Sequence, residues 1–283
     1  MLKRIGIALR IAICEHSAMQ MKSRSATKSS RNIRGLPLLW ILLCAFCAHG
    51  QQSIPPGTIV PLRLNRTLSS KNAKPNDAIS ARVMQDVPLA GGGKIREGTK
   101  MTGHVIEVRP ASQGSGASLS FTFDRVLVSR TGLHVVTDLR ALASALAVEG
   151  AYLPELGMGD GEVWNARTTD QIGGDTVYWG GGPVESESGP VGKPVEGADS
   201  GVVVKVRANS RGGCHGETDG NYEAQALWVF SSDACGVYDI RGLTIAHSGR
   251  TEPLGVIELN FESGEVTVHS GSGLLLRVID RSK

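Results

Sequence analysis

The feature that most constrains this chain is the alternation of apolar and polar residues in short segments between Ile54 and Val108. These segments occupy 58–64, 78–87 and 99–108, and Gly, Pro, Asn or Asp residues bound each of them. A period of two puts the apolar side chains on one face, which is typical of antiparallel strands with one buried and one solvated face. The region therefore predicts a meander of short strands.

The rest of the chain extends this pattern and predicts a mainly β protein. Further strands are expected at 119–128, 133–137, 201–207, 223–230, 237–247, 254–259, 265–269 and 274–279. Glycine makes up 36 of 283 residues, about twice its usual share, in keeping with many turns. We expect an antiparallel barrel-like or sandwich architecture with a long Gly/Pro-rich insertion and at most one short helix.

The helix is expected at Leu139–Val148, where leucines at 139, 142 and 146 follow a helical spacing among alanines. An inserted strand is the alternative for the same residues. Turn or strand-boundary roles are predicted for Pro56, Gly57, Asp86, Gly98 and Gly103. Pro61 lies inside the first strand and removes a backbone donor, so that strand is expected at a sheet edge or with a bulge.

The composition divides the chain into four parts. Residues 1–50 form the leader, and 51–148 form an N-terminal β domain. The Gly and Pro clusters within 149–200 predict a loop or linker. Residues 201–283 form a C-terminal β part, which either stands alone or continues the first sheet.

The leader has the order of a secretory signal peptide. Residues 36–48 are uncharged and mostly apolar, Arg31 and Arg34 precede them, and small residues flank a cleavage site before Gln51. As a helix they would span about 20 Å, too short for a bilayer core of about 30 Å. A start at Met21 gives a leader of more usual length. We therefore expect export to the periplasm or outer membrane, with no stable transmembrane helix after cleavage.

The charge distribution argues against a nucleic-acid partner. Eight of the 30 Lys and Arg residues but only one of the 27 Asp and Glu residues lie within 1–50. Residues 51–283 therefore carry 22 basic and 26 acidic side chains, a formal charge of −4. No run of Lys or Arg supplies the basic patch that nucleic-acid binding requires.

Cys214 and Cys235 are the cysteines that remain after the leader is removed. Two cysteines in an exported protein, each in a turn rich in small and polar residues, predict one disulfide. A zinc site would instead combine Cys214, His215 and Glu217 with Cys235 or Asp233. Two free thiols are the remaining alternative.

Motifs for catalysis are absent from the sequence. Neither G-x-S-x-G nor H-E-x-x-H occurs, and His104, His134, His247 and His269 stand singly on predicted strands. We therefore expect neither an enzyme nor a bound cofactor. A hydrolase remains an alternative, and it would need carboxylates that converge from 160–187 and 215–239.

Three segments resemble the β-barrel domain of TrbI-type proteins, the channel components of conjugation and type IV secretion. They are Pro56–Leu62, Ile79–Val87 and Ile95–Gly103, in that order. The resemblance covers 54–108, or 54–137 at its widest, and implies a β fold and an envelope location. The sequence departs from that family because it lacks the membrane helix and long Pro-rich linker that precede the barrel.

These observations predict an exported, non-catalytic protein of the cell envelope, a structural or binding module. Its expected partner is an envelope protein or polymer, or a second copy of itself. A subunit of a secretion-type channel and a hydrolase of an envelope polymer are the alternatives.

Overall fold

Strands dominate the computed structural model, which describes residues 53–89, 92–113, 115–128, 131–152, 155–156, 167–198, 200–215 and 221–280. The strands are β1 Ile59–Leu64, β2 Leu68–Ser69, β3 Ala78–Val83, β4 Val87–Pro88, β5 Lys94–Ile95, β6 Lys100–Arg109, β7 Ala117–Val128, β8 Thr131–His134, β9 Val136–Ala143, β10 Glu155–Leu156, β11 Arg167–Asp170, β12 Thr176–Tyr178, β13 Val184–Ser186, β14 Gly189–Pro194, β15 Val202–Val204, β16 Gln225–Ala226, β17 Gly236–Tyr238, β18 Leu243–His247, β19 Ile257–Phe261, β20 Thr267–Val268 and β21 Gly273–Ile279. One short helix, α1, spans Ala145–Gly150. The prediction of a mainly β protein with at most one short helix is confirmed for these residues. The predicted leader lies outside them.

Ten strands form the main sheet, in the order β17-β9-β21-β1-β3-β6-β7-β19-β18, with β8 paired to β7. Its pairs are antiparallel except for β17 with β9. Apolar side chains from β1, β3, β6, β7, β9, β18, β19 and β21 meet in one cluster, the first core. Because so many strands face one core, the sheet curls around it in a barrel-like form.

The curl brings the two edge strands of the main sheet together without a continuous ladder. The edge strands β17 and β18 contact each other. The backbone N–H of Leu139 in β9 donates to the carbonyl of Ser248, which directly follows β18, at 2.7 Å. The sheet is therefore barrel-like. Its two ends meet at a seam, where β18 lies against β17 and against the part of β9 that β17 does not cover.

A second sheet of seven strands, β10 to β16, follows chain order as an antiparallel meander. Five of its strands, β10 to β14, lie within the segment 149–200 that was predicted to be a loop or linker, so that prediction is wrong for these strands. These strands are only two to six residues long, too short for a periodic pattern to appear. The prolines of β14 fit the sheet because Pro190 lies at an irregularity in the pairing and Pro194 lies in the last pair with β15.

Three central strands of the main sheet are buried on both faces. In β21, Leu274, Leu276 and Val278 face the first core, whereas Leu275 belongs to a second cluster, the second core. The second core also contains Ile59 of β1 together with Val177 and Val204 of the second sheet. The two sheets therefore pack face to face across β1, β9 and β21.

This double burial explains why the helix prediction for Leu139–Val148 is wrong over its first half. Residues 139–143 belong to β9, and the helix begins only at Ala145, with Ser144 as its N-cap. Leu139 and Leu142 face the first core, while Ala141 and Ala143 face the second. A strand that is apolar on both faces has no alternation to distinguish it from a buried helix.

Pro61 lies in an interior strand, so the expected edge position is wrong. Strand β1 pairs with β21 on one side and β3 on the other. The Pro61 carbonyl accepts from the N–H of Met84, just past the end of β3, at 2.9 Å. Since the nitrogen and carbonyl of a strand residue point to the same side, the missing donor faces the place where β3 ends and leaves the β21 ladder intact.

The other predicted turn residues lie at chain reversals or close approaches. Pro56 and Gly57 form a turn before β1, and the N–H of Gly57 donates to Val278 at 2.7 Å. Gly98 has a φ of 75° in the turn before β6. At Gly103, a Cβ would lie 1.7 Å from the Thr122 carbonyl oxygen, so only glycine allows β6 and β7 to approach there.

Candidate functional site

Cys214 and Cys235 are joined by a disulfide at the seam of the main sheet. Their Cα atoms lie 6.1 Å apart, and Cys214 is only 4% exposed. The N–H of Cys214 donates to Asn209 at 2.9 Å, and the N–H of Cys235 donates to the Tyr238 hydroxyl at 3.0 Å. The bridge therefore fastens the loop after β15 to the start of β17.

A bulge in β9 directs an arginine to this loop. The register of β9 against β21 shifts between Leu139 and Ala141, so the bulge lies at Arg140. Its side chain is almost fully buried and donates to the carbonyls of Ala234, at 2.9 Å from Nε, and Arg207. The bulge thus redirects a charged side chain, as bulges commonly do.

Arg207 is the centre of an ion-pair network between the second sheet and the disulfide loop. Its guanidinium lies 3.4 Å from Asp175 and 3.6 Å from Asp233, and its Nε donates to the Ser232 hydroxyl at 2.8 Å. The Asp175 carboxylate also accepts from the backbone N–H of Ser232 at 2.6 Å. Arg207 therefore pairs with both carboxylates, and Asp175 is also held by the backbone of the disulfide loop.

A second buried pair lies nearby in the main sheet. Arg277 of β21 and Asp138 of β9 face each other in register, and the arginine is 1% exposed. The Nε of Arg277 donates to Asp138 at 3.2 Å, and its Nη2 donates to the same carboxylate. Removing one partner of such a pair would leave a buried charge uncompensated.

These contacts bear on two alternatives that the sequence left open, a zinc site and a hydrolase. The zinc alternative needs a thiolate from Cys214, with Cys235 or Asp233 as a further ligand, and the disulfide uses the sulfur atoms of Cys214 and Cys235. Glu217 lies outside the described residues, and no group of three or more metal-binding side chains occurs among those described. Of the carboxylates considered for a hydrolase, Asp175 and Asp233 meet only at Arg207.

His104, His134 and His247 each contact different groups in the described part of the chain. His104 lies 3.5 Å from Asp124, and His134 lies 3.2 Å from Arg125. The Nδ1 atom of His247 lies 2.6 Å from the carbonyl oxygen of Val256, in the connection between β18 and β19. Among the described residues, each of these three histidines therefore has a separate local partner.

Asp86 organises the turn between β3 and β6. Its carboxylate accepts from Lys94 and from the N–H of Glu97, the latter at 2.9 Å. The bond from Lys94, and then the one from Glu97, hold the pKa of Asp86 below its ordinary value. Asp86, predicted as a turn residue, is therefore a carboxylate whose hydrogen bonds hold the β4–β5 hairpin in place.

Two surface cavities of about 470 Å³ each are the candidate binding sites. One, the seam cavity, lies beside the disulfide and is lined by residues of β9, β17 and β18. The other, the hydroxyl-lined basin, lies against β3 and β6. Its walls include Arg66, Thr67, Ser69, Asn72, Ser80, Lys100 and Thr102.

Sequence reasoning missed the basin because its walls come from three separate segments. The nearest sequence signal is the density of Ser, Thr and Asn between Asn65 and Ser80, which also reads as an ordinary turn. The segment 66–73 reaches the basin because β2 pairs with β20, near the other end of the chain. That long-range pairing is not visible in the local pattern.

No protein-family model matches this sequence, and no curated protein matches it either. The resemblance of 54–108 to TrbI-type β domains therefore stays a prediction. In the part of the chain that the structure describes, no helix is long and apolar enough to cross a membrane.

Proposed function

We propose that this chain is an exported, non-catalytic binding module of the cell envelope, located in the periplasm or at the outer membrane. The observation that carries this proposal is the Cys214–Cys235 bridge. The bridge fits an oxidising compartment, because structural disulfides persist outside the reducing cytosol. It supports the export that the leader predicts.

The binding role is supported by where the charged groups lie. Asp138 and Asp175, the most buried carboxylates described, both face arginines. Buried carboxylates that are paired in this way serve as structural counter-charges to the arginines. The two surface cavities are the places where a partner would contact the module.

The intact mass of the exported protein tests the proposal. The full chain, with its leader, is expressed in a Gram-negative host, and the envelope fraction is alkylated with and without prior reduction. We expect a mature mass that begins at Gln51 and two alkyl groups only after reduction. The Cys214→Ser/Cys235→Ser variant is the control and should take up none.

Two results would contradict the proposal. Retention of the leader would remove the argument for export, and alkylation of both thiols without reduction would remove the disulfide. Assembly into rings would instead favour the channel-subunit alternative.

A further inference from the structure

Four cations from four neighbouring strands lie side by side on the outer face of the main sheet. Arg63 of β1 is directly opposite Arg82 of β3, and Arg82 is directly opposite Lys100 of β6. Arg125 of β7 pairs with Thr102, which places it diagonally from Lys100. We call Arg63, Arg82, Lys100 and Arg125 the cationic row. At about 4.8 Å per strand, it is about 14 Å long.

The side chains of the cationic row point to solvent. Their neighbours along β1, β3 and β6, such as Leu62, Ala81 and Met101, are fully buried in the first core. Arg82, Lys100 and Arg125 are exposed, and the Arg63 side chain is 43% exposed. A partner can therefore reach all four charges from one side.

The fold leaves most of this charge uncompensated. Like charges directly opposite each other on adjacent strands are destabilising. Arg63 has an ion pair, with the exposed Glu149 at 3.8 Å. Among the described residues, no carboxylate pairs with Arg82, Lys100 or Arg125. The row therefore concentrates positive charge on a body whose formal charge is −4.

The hydroxyl-lined basin adjoins the row. Lys100 belongs to both, and Arg66 adds a further exposed cation to the basin wall. Ser69, Ser80 and Thr102 supply hydroxyls, and Asn72 supplies an amide. Asp77 also lines the basin, but its carboxylate accepts from the backbone N–H of Lys74 at 2.8 Å. Cations beside hydroxyl and amide groups suit a ligand that carries both anionic groups and hydroxyls.

We propose that the cationic row and the basin bind an extended, anionic polysaccharide, with its chain running across β1, β3, β6 and β7. This inference rests on the proposed function and names its partner class. A linear row fits a chain with regularly spaced carboxylates, and the basin fits its sugar hydroxyls.

Two other polyanions fit these surfaces less well. A membrane surface is normally engaged by apolar side chains together with cations. Single-stranded nucleic acid is normally engaged by exposed aromatic rings. Among the described residues, large exposed apolar side chains are absent from β3 and β7, and the one on β6, Ile106, is six residues from Lys100. Tyr152, which is 37% exposed, lies under the Arg63 guanidinium at 5.8 Å. It supplies one ring at one end of the row, not the series of rings on which successive bases stack.

The test measures binding of a short oligogalacturonate to the full exported protein at several salt concentrations. The Arg82→Glu/Lys100→Glu variant reverses two charges at the centre of the row. The Lys193→Glu/Lys205→Glu variant makes the same net change at two exposed lysines near the second sheet. Neutral dextran, phosphatidylglycerol vesicles and a single-stranded oligonucleotide are the comparison ligands.

We expect salt-dependent binding of the oligogalacturonate and none of dextran. The row variant should lose affinity on the order of tenfold and show a weaker salt dependence, because counterions are released at fewer contacts. The control variant should keep its affinity within about twofold. Unchanged circular dichroism would separate a binding defect from unfolding. Arg82→Gln/Lys100→Gln, which removes the two charges without reversing them, should show a smaller loss of affinity.

Four outcomes would overturn this inference. Equal losses in the row and control variants would reduce it to a net-charge effect. Binding of vesicles alone would assign the row to lipid headgroups, and stronger binding of the oligonucleotide would assign it to nucleic acid. A correct mature mass without polymer binding refutes the row and leaves the proposed function standing. Polymer binding by a protein that keeps its leader would refute the proposed export and leave the cationic row standing.

Discussion

Replacing Gln85 with leucine tests whether one side chain joins the two sheets. Gln85 follows β3 and is 2% exposed. Its amide nitrogen donates to the carbonyl of Val202 at 2.9 Å, and its amide oxygen accepts from the Val202 N–H at 3.2 Å. The pairing of β15 with β16 ends before Val202. The Gln85 side chain therefore makes the hydrogen bonds to Val202 that a neighbouring strand would otherwise make.

The expected loss of stability follows from these two bonds. Leucine fills nearly the same volume but leaves the N–H and carbonyl of Val202 buried, since Val202 is 0% exposed. Each unsatisfied buried group costs about 1–3 kcal/mol, so the two together cost about 2–6 kcal/mol. The better burial of leucine offsets about 1 kcal/mol of this. We expect the free energy of unfolding to fall by about 1–5 kcal/mol.

Urea unfolding followed by two probes measures this effect. Trp179 and Trp228 pack against each other at the second core, so their fluorescence reports on the docking of the sheets. Far-ultraviolet circular dichroism reports on the strands as a whole. Gln113→Leu, at an exposed loop position, is the control and should change stability by less than about 0.5 kcal/mol. A loss below about 1 kcal/mol in Gln85→Leu, with coincident transitions, would show that water replaces the amide and would refute the reasoning.

Two further predictions concern single residues. Gly103→Ala places a Cβ against the backbone of β7 and should lower the free energy of unfolding by more than about 3 kcal/mol or abolish soluble expression. Gly150→Ala, which has open space around it, should be nearly neutral in the same urea titration. Equal effects of the two substitutions would contradict the close approach of β6 and β7. Because Lys94 lowers the pKa of Asp86 below its ordinary 3.8, the stabilisation from this carboxylate is present above pH 3.8 and is lost as the pH falls toward the lower folded pKa. The difference in unfolding free energy between the wild type and Asp86→Asn should therefore shrink below pH 3.8, and a difference that does not change with pH would exclude this contribution.

The sequence predicts the strands of the main sheet well because most of them bury only one face. In β3, for example, Ile79, Ala81 and Val83 are buried and alternate with more exposed residues. The same rule fails where both faces are covered, as in β9. There the Ala and Leu residues serve two cores at once, and only the tertiary packing decides between strand and helix.

The candidate sites are harder to predict because pairing register creates them. Arg63, Arg82, Lys100 and Arg125 are separated by 18 to 25 residues in sequence, and none of them belongs to a run of basic residues. They become neighbours only through the registers of β1 with β3, β3 with β6 and β6 with β7. The low local density of basic residues, which argued against a basic patch, therefore does not describe the folded surface.

The position of β21 argues against a domain boundary at residue 148. This strand comes from the end of the chain, yet it lies between β1 and β9 and pairs with both. Likewise, β19 pairs with β7. A fragment that ends at 148 would leave β1, β7 and β9 with unpaired edges and would lose the part of the first core that β18, β19, β20 and β21 supply. The segment 54–108 is thus one part of a larger sheet, and long-range pairing with the C-terminal strands completes its core.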